Sequence, residues 1–189
     1  VPTVAATTTD TNASAVVTAA TSIPGTTTVA ITSQDGSATR TISIAWTLDP
    51  KPQTAAPTPS QDSANVISVY SDAYTSIATN LNPNWGQQTQ TAEVLVDGNN
   101  TLEYASLNYQ GLEYPQTDVS AMEYVHLDYF TNDATALDFF LISTGPKENA
   151  YSIDIVTGSW QSIDIPLSAY NFTVEELENV FQFKTTGNG

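Results

Sequence analysis

Trp85 stands in Asn82-Pro83-Asn84-Trp85-Gly86-Gln87-Gln88, a loop of Pro, Gly and planar amides with no apolar neighbour in the sequence. An indole in such a setting has two uses. It plugs the end of a β-sandwich, or it offers a flat apolar face on which a sugar ring stacks. The other two tryptophans read differently: Trp46 ends an alternating strand and belongs to a core, and Trp160 covers a sandwich edge.

Acid chemistry is the next possibility. Glycoside hydrolysis needs two carboxyl groups about 5–10 Å apart. Of the 20 Asp and Glu, 17 fall in residues 61–189, so chance pairs are inevitable there. None has an identifying motif, and the Glu-x-Asp-x-x-Glu spacing of sandwich-fold glycanases is absent. The single histidine, His126, shares a strand face with Asp128, but no Gly-x-Ser-x-Gly elbow accompanies them. The chain is therefore expected to be non-catalytic. With no Cys and one His, thiolate and zinc sites fall away. An oxygen-ligated metal would be calcium. No EF-hand loop is present; Asp72 is either a structural Ca2+ ligand or an Asx-type turn residue.

The composition narrows the partners. Four Lys and Arg against 20 Asp and Glu give a net charge of −16, which repels nucleic-acid backbones and disfavours anionic membranes. No apolar run approaches the roughly 20 residues of a membrane span, and no signal peptide is visible. The chain opens at Val1 without Met and reads as a monomeric piece of a longer exported protein. Charge is uneven: residues 1–60 hold Asp10, Asp35 and Asp49 against Arg40 and Lys51, whereas 61–189 set 17 acids against Lys147 and Lys184. Between the halves, four prolines (Pro50, Pro52, Pro57 and Pro59) mark an extended linker over 50–61.

The elements that must position these residues are strands. In residues 1–49, β patterns at 16–18, 28–32 and 39–46 are joined by turns at Pro24-Gly25 and Asp35-Gly36. Ile42, Ile44 and Trp46 share one face. In 62–189, strands are expected at 66–70, 91–96, 101–104, 107–110, 122–130, 137–143, 151–155, 160–165 and 180–184. One helical turn at 173–177 has a Thr173/Glu176 capping box. The fold class is all-β, an antiparallel jelly-roll-like sandwich after part of an immunoglobulin-like sandwich. Val125, Leu127 and Tyr129 point one way, Tyr124, His126 and Asp128 the other; Phe181 and Phe183 point in, Gln182 and Lys184 out. If these strands share a sheet, its outer face shows Tyr, His, Asp, Gln and Lys. Such a face is either merely solvated or suited to a neutral sugar surface.

Two resemblances sharpen this reading. Residues 23–36 with 39–44 resemble the closing half of an immunoglobulin-like or cadherin-like bacterial repeat, a spacer whose opening strands are missing here. The second half resembles a bacterial carbohydrate-binding β-sandwich. The matching motifs are 56–59, 66–75, Asn82-Pro83-Asn84-Trp85-Gly86-Gln87, Leu107-Asn108-Tyr109-Gln110-Gly111, Val125-His126-Leu127-Asp128, 142–146, 160–167, and Gln182-Phe183-Lys184 with Gly187-Asn188-Gly189. The family continues past Gly-Asn-Gly into a strand with an Asp-Asn pair that often supplies a calcium ligand; this sequence stops at Gly189. The resemblance implies a module that binds a neutral β-glucan such as the β-1,3-glucan laminarin. Its parent would be a surface glycan-binding protein or a secreted glycanase, extracellular or on a bacterial outer membrane. A purely structural or adhesive sandwich is the alternative. The expected binding residues are Trp85, Tyr109 and Gln110, then Asn108, Gln87 and Lys184. Tyr109 and Gln110 occupy opposite strand faces, so only one of them reaches a groove unless the chain bulges near Gly111.

Overall fold

Runs of Thr, Val and Ile punctuated by turn residues bury an apolar face most readily as sheets. In the computed structural model, which describes residues 1–47 and 51–189, they form antiparallel sheets throughout. Two units separate in the chain, Val1–Asp49 and Pro50–Gly189. The ends of the compositional boundary, Asp49 and Pro50, lie outside the described residues.

The first unit is a three-stranded meander of β1 (Ser14–Thr18), β2 (Gly25–Thr32) and β3 (Thr39–Trp46). Ile42, Ile44 and Trp46 share a face, opposite Val29, Thr27 and Gly25 of β2. Buried Thr27 is satisfied because its Oγ1 accepts bonds from Trp46 Nε1 at 2.9 Å and from the Ala20 amide at 3.0 Å. The β2–β3 turn is fixed by Asp35, whose Oδ1 accepts from the Ser33 hydroxyl and from the Ser37 hydroxyl and amide. These bonds hold its carboxyl down to about 2.

The second unit contains β4 (Gln90–Val96), β5 (Asn99–Ala105), β6 (Tyr109–Thr117), β7 (Tyr124–Tyr129), β8 (Leu137–Ser143), β9 (Lys147–Ser152), β10 (Gln161–Pro166) and β11 (Val180–Gly187). A short helix α1 (Val174–Leu177) begins with the Thr173/Glu176 capping box. Strands pair in the order β6-β11-β8-β9, with a separate β7–β10 ribbon and a β4–β5 hairpin. That hairpin turns on Asp97-Gly98, both at positive φ, as a two-residue turn matching strand twist requires. The sandwich core lies between the four-stranded sheet and the ribbon. Tyr114, Phe139, Leu141 and Val180 come from the sheet and Ile165 from β10, with Val125, Leu127 and Ile163 packed against them.

Tyr170 also belongs to this core, fully buried, and its hydroxyl has no hydrogen-bond partner. An unsatisfied buried hydroxyl costs about 1–3 kcal/mol, so Tyr170→Phe is expected to leave the melting temperature unchanged or raise it. A drop of several degrees in a thermal melt would contradict this.

Three sequence expectations are corrected and one condition is not met. Residues 66–70 form no ladder: a single bridge joins Ser68 to Ser76 and the chain bends at 69–70, and β-branched composition does not supply a partner strand. β7 and β11 lie in different sheets, so the polar faces of Tyr124, His126 and Asp128 and of Gln182 and Lys184 point away from each other across the core. Phe181 falls in a bulge between Val180 and Gln182, which makes Val180, not Phe181, the buried partner of Phe183 on the inner side. Strand β9 begins at Lys147, directly after the 144–146 turn, rather than at 151.

The proline-rich segment groups with the second unit and is tied to it. Trp160 Nε1 donates to the Thr54 carbonyl at 2.8 Å, Tyr74 Oη donates to the Gln61 carbonyl at 2.7 Å, and Lys51 pairs with Glu103 at 2.7 Å. Trp160 also meets Phe130 edge to face, 5.8 Å between ring centres.

Candidate functional site

The outward face of the four-stranded sheet is laid out by register in three rows across β6, β11, β8 and β9. The first is Tyr109, Thr186, Asp138 and Ser152. The second is Gly111, Lys184, Phe140 and Ala150. The third is Glu113, Gln182, Ile142 and Glu148. The middle row has no side chain at one end and a methyl at the other. Into the space above Gly111 comes the indole of Trp85: a Cβ built at Gly111 would sit 2.1–2.6 Å from three of its ring carbons. One face of the indole is thus packed on strand backbone. The result is an open groove of about 630 Å³ lined by Trp85, Asn108, Tyr109, Ile142, Pro146, Glu148, Gln182, Lys184 and Thr186.

Trp85 is anchored at its ring nitrogen, its carbonyl and its amide. Its Nε1 donates to Glu113 Oε1 at 2.8 Å. Its carbonyl accepts from Tyr109 Oη at 2.8 Å, and its amide donates to Gln87 Oε1 at 2.8 Å. Gln87 Nε2 in turn donates to the Pro83 carbonyl and to Gln110 Oε1. Gln110 is 1% exposed and donates to the Gly111 carbonyl and Asn82 Oδ1. Asn108 Oδ1 accepts from the amides of Gln88 and Thr89 and from the Thr89 hydroxyl, which anchors the end of the loop.

The structure therefore gathers all six expected binding residues in one place, in two roles. Trp85, Tyr109, Asn108 and Lys184 line the groove. Gln87 and Gln110 lie behind the loop, and Gln110 is too buried to meet a ligand. The opposite orientation of Tyr109 and Gln110 follows from strand alternation, with no bulge at Gly111. Sequence reading did not single out Glu113, Ile142, Glu148 or Thr186, and placed Gln182 only on an outward face with Lys184. Extending the strand past Gln110 and counting by two from Tyr109 reaches Gly111 and then Glu113.

The groove's electrostatics are nearly closed. Lys184 Nζ meets Glu148 Oε2 at 2.6 Å and stands 4.0 Å from the centre of the Phe140 ring. Glu113 Oε1 accepts from Gln182 Nε2 at 3.0 Å as well as from the indole. Asp138 accepts from Ser152 and Thr186. What remains for a ligand is an indole face, hydroxyls and amides.

On the opposite sheet, His126 Nδ1 lies 2.7 Å from Asp164 Oδ1, and Ser162 donates to Asp128 rather than to the histidine. No Ser-His pair of a nucleophilic triad is assembled there.

Asp72 lies outside the groove and clamps the β4–β5 hairpin. Its two carboxylate oxygens accept from the Asn100 amide and Asn100 Nδ2, which hold its carboxyl below the usual range. Among the described residues no group of three or more His, Cys, Asp or Glu side chains converges to hold a metal. Calcium takes six to eight oxygens, and both oxygens of Asp72 already accept from Asn100. The clamp's sign with pH follows from the depressed folded-state value. Its stabilisation is present above the unfolded carboxyl's pKa and is lost as pH falls through the lower folded value. Asp72→Ala is expected to lower the melting temperature at pH 7 and to close the gap to wild type as the pH falls below 4, with no response of either protein to a chelator. A chelator-induced drop in the wild type would restore calcium to this site.

Comparison with family models, with curated proteins and with solved structures finds no match for the chain.

Proposed function

We propose that the second unit is a non-catalytic module that binds a neutral β-glucan in the Trp85 groove. The observation that carries this reading is the indole, fixed on one face by Gly111 and at its N–H by Glu113, beside a groove of hydroxyls and amides. A stacking platform works best when its orientation costs nothing at the moment of binding. The pairing of Lys184 with Glu148 supports an uncharged ligand, since neither charge is left seeking a partner. The β-1,3 linkage of the proposed ligand, laminarin, rests on the sequence resemblance described above. So does the proposed location on an extracellular or outer-membrane-surface protein, either a glycan-capturing surface protein or a secreted glycanase.

Absence of catalysis is part of the proposal. Glu148 in the groove and Glu113 behind the indole rise from β9 and β6, whose backbones are three strand spacings, about 14 Å, apart. Each is taken by donors within the protein. A glycosidase needs an acid held protonated beside a second carboxylate.

Native electrophoresis in gels cast with and without laminarin tests the binding, and retardation by laminarin is the expected result. Migration unchanged at several grams of laminarin per litre would remove the glycan site. A day-long incubation assayed for reducing ends should stay at baseline. Release that disappears on mutating one carboxylate would replace the binding module with an enzyme.

A further inference from the structure

We infer that Glu113 is the positioning residue of the glycan platform: its carboxylate sets the angle and rigidity of the Trp85 indole without itself meeting the ligand. The inference rests on the glycan-binding reading and adds a residue that the sequence did not single out. Glu113 sits on β6 one outward position beyond Gly111, on the strand that carries the indole. Its Oε1 accepts from Trp85 Nε1 at 2.8 Å and from Gln182 Nε2 at 3.0 Å, and Oε2 lies 3.5 Å from Asn80 Nδ2. The Glu113 backbone is doubly bonded to Asn80, through N–H to carbonyl bonds of 3.1 and 2.8 Å, so the carboxylate's own base is fixed.

Three consequences follow from chemistry. A hydrogen bond to an ionised acceptor is roughly twice as strong as one between neutral groups, so this contact outweighs the loop's other anchors one for one. It acts at the far end of the side chain, where it stops rotation that the backbone anchors at Tyr109 and Gln87 leave open. It also pulls the N–H proton toward an anion, which makes the ring face more electron-rich and better matched to the C–H edge of a sugar. Gln182 donates to the same oxygen, so the third row of the sheet reports to the indole through Glu113.

The test uses the full chain with Glu113→Ala and Glu113→Gln, read in two ways. Affinity electrophoresis or calorimetry with laminarin gives the binding constant. The indole Nε1–H cross-peak of Trp85 in 15N NMR, assigned by its loss in Trp85→Phe, reports the hydrogen bond with no ligand present. Glu113→Ala is expected to weaken laminarin binding about tenfold and to shift and deprotect that cross-peak; Glu113→Gln, which keeps an acceptor, should return binding to within about threefold of wild type. Wild-type affinity in Glu113→Ala, or an unmoved Trp85 cross-peak, overturns the inference. If Glu113→Ala does not fold, Glu113→Asp, one methylene short of the indole, replaces it with the same expectations as Ala. Should the wild type not bind laminarin while the cross-peak still moves, the glycan reading fails and the positioning of the indole stands.

Discussion

Trp85→Ala should abolish retardation by laminarin while leaving the thermal melt close to wild type. Removing a buried aromatic anchor from a binding site costs about 2 kcal/mol, roughly a thirtyfold loss in affinity. Little structural penalty is expected because the indole lies outside the sandwich core and covers only the outward side of β6. The variant leaves Glu113 without its indole donor but still bonded to Gln182, at a half-exposed position where water can fill the gap. The comparison that gives the result meaning is Tyr109→Phe, which keeps the ring in the groove and removes only the bond to the Trp85 carbonyl. Its loss should be smaller than that of Trp85→Ala, since Gln87 and Glu113 still hold the loop. Full affinity in Trp85→Ala would move the binding site elsewhere or remove it.

What the sequence made legible was local. Trp85 stood out because Pro, Gly and amides around it left no apolar partner. The inward set Val125, Leu127 and Tyr129 followed from a period of two and packs on the core. Pairing was not legible, because it joins residues far apart in the chain. Strand β11 lies between β6 and β8, and nothing local to 180–187 says so. That is why a composite polar face could be read only on the condition of a shared sheet, a condition the two sheets do not meet. Strand β6 was cut short for a different reason. Gly111 and Pro115 look like breakers, yet the indole occupies the place of the missing side chain at Gly111. Pro115 sits near the end of a strand on the edge of its sheet, where a missing N–H is tolerated. Glu113 lies between these two residues and was lost with them. At 66–70 the error ran the other way: β-branched residues promised a ladder that the fold does not supply.

Gly111→Ala is the substitution whose effect should depend most on its neighbour. Gly111 lies within a regular strand, so alanine fits the backbone, and replacing Gly in a strand ordinarily stabilises by about 0.4–1 kcal/mol. Here the new methyl would stand 2.1 Å from the Trp85 ring, a distance no pair of non-bonded carbons occupies, and the three nearest atoms are indole carbons. The indole must leave. It would give up its bond to Glu113 and its place over the sheet, so laminarin binding in Gly111→Ala should fall as far as in Trp85→Ala. The two losses should not add, because both remove the same platform. In the Trp85→Ala background the clash is gone, and the same Gly111→Ala change should be neutral or raise the melting temperature. That reversal of sign separates an indole packed on Gly111 from one that only passes near it. Equal effects of Gly111→Ala with and without Trp85 would show that the glycine serves the strand and not the platform.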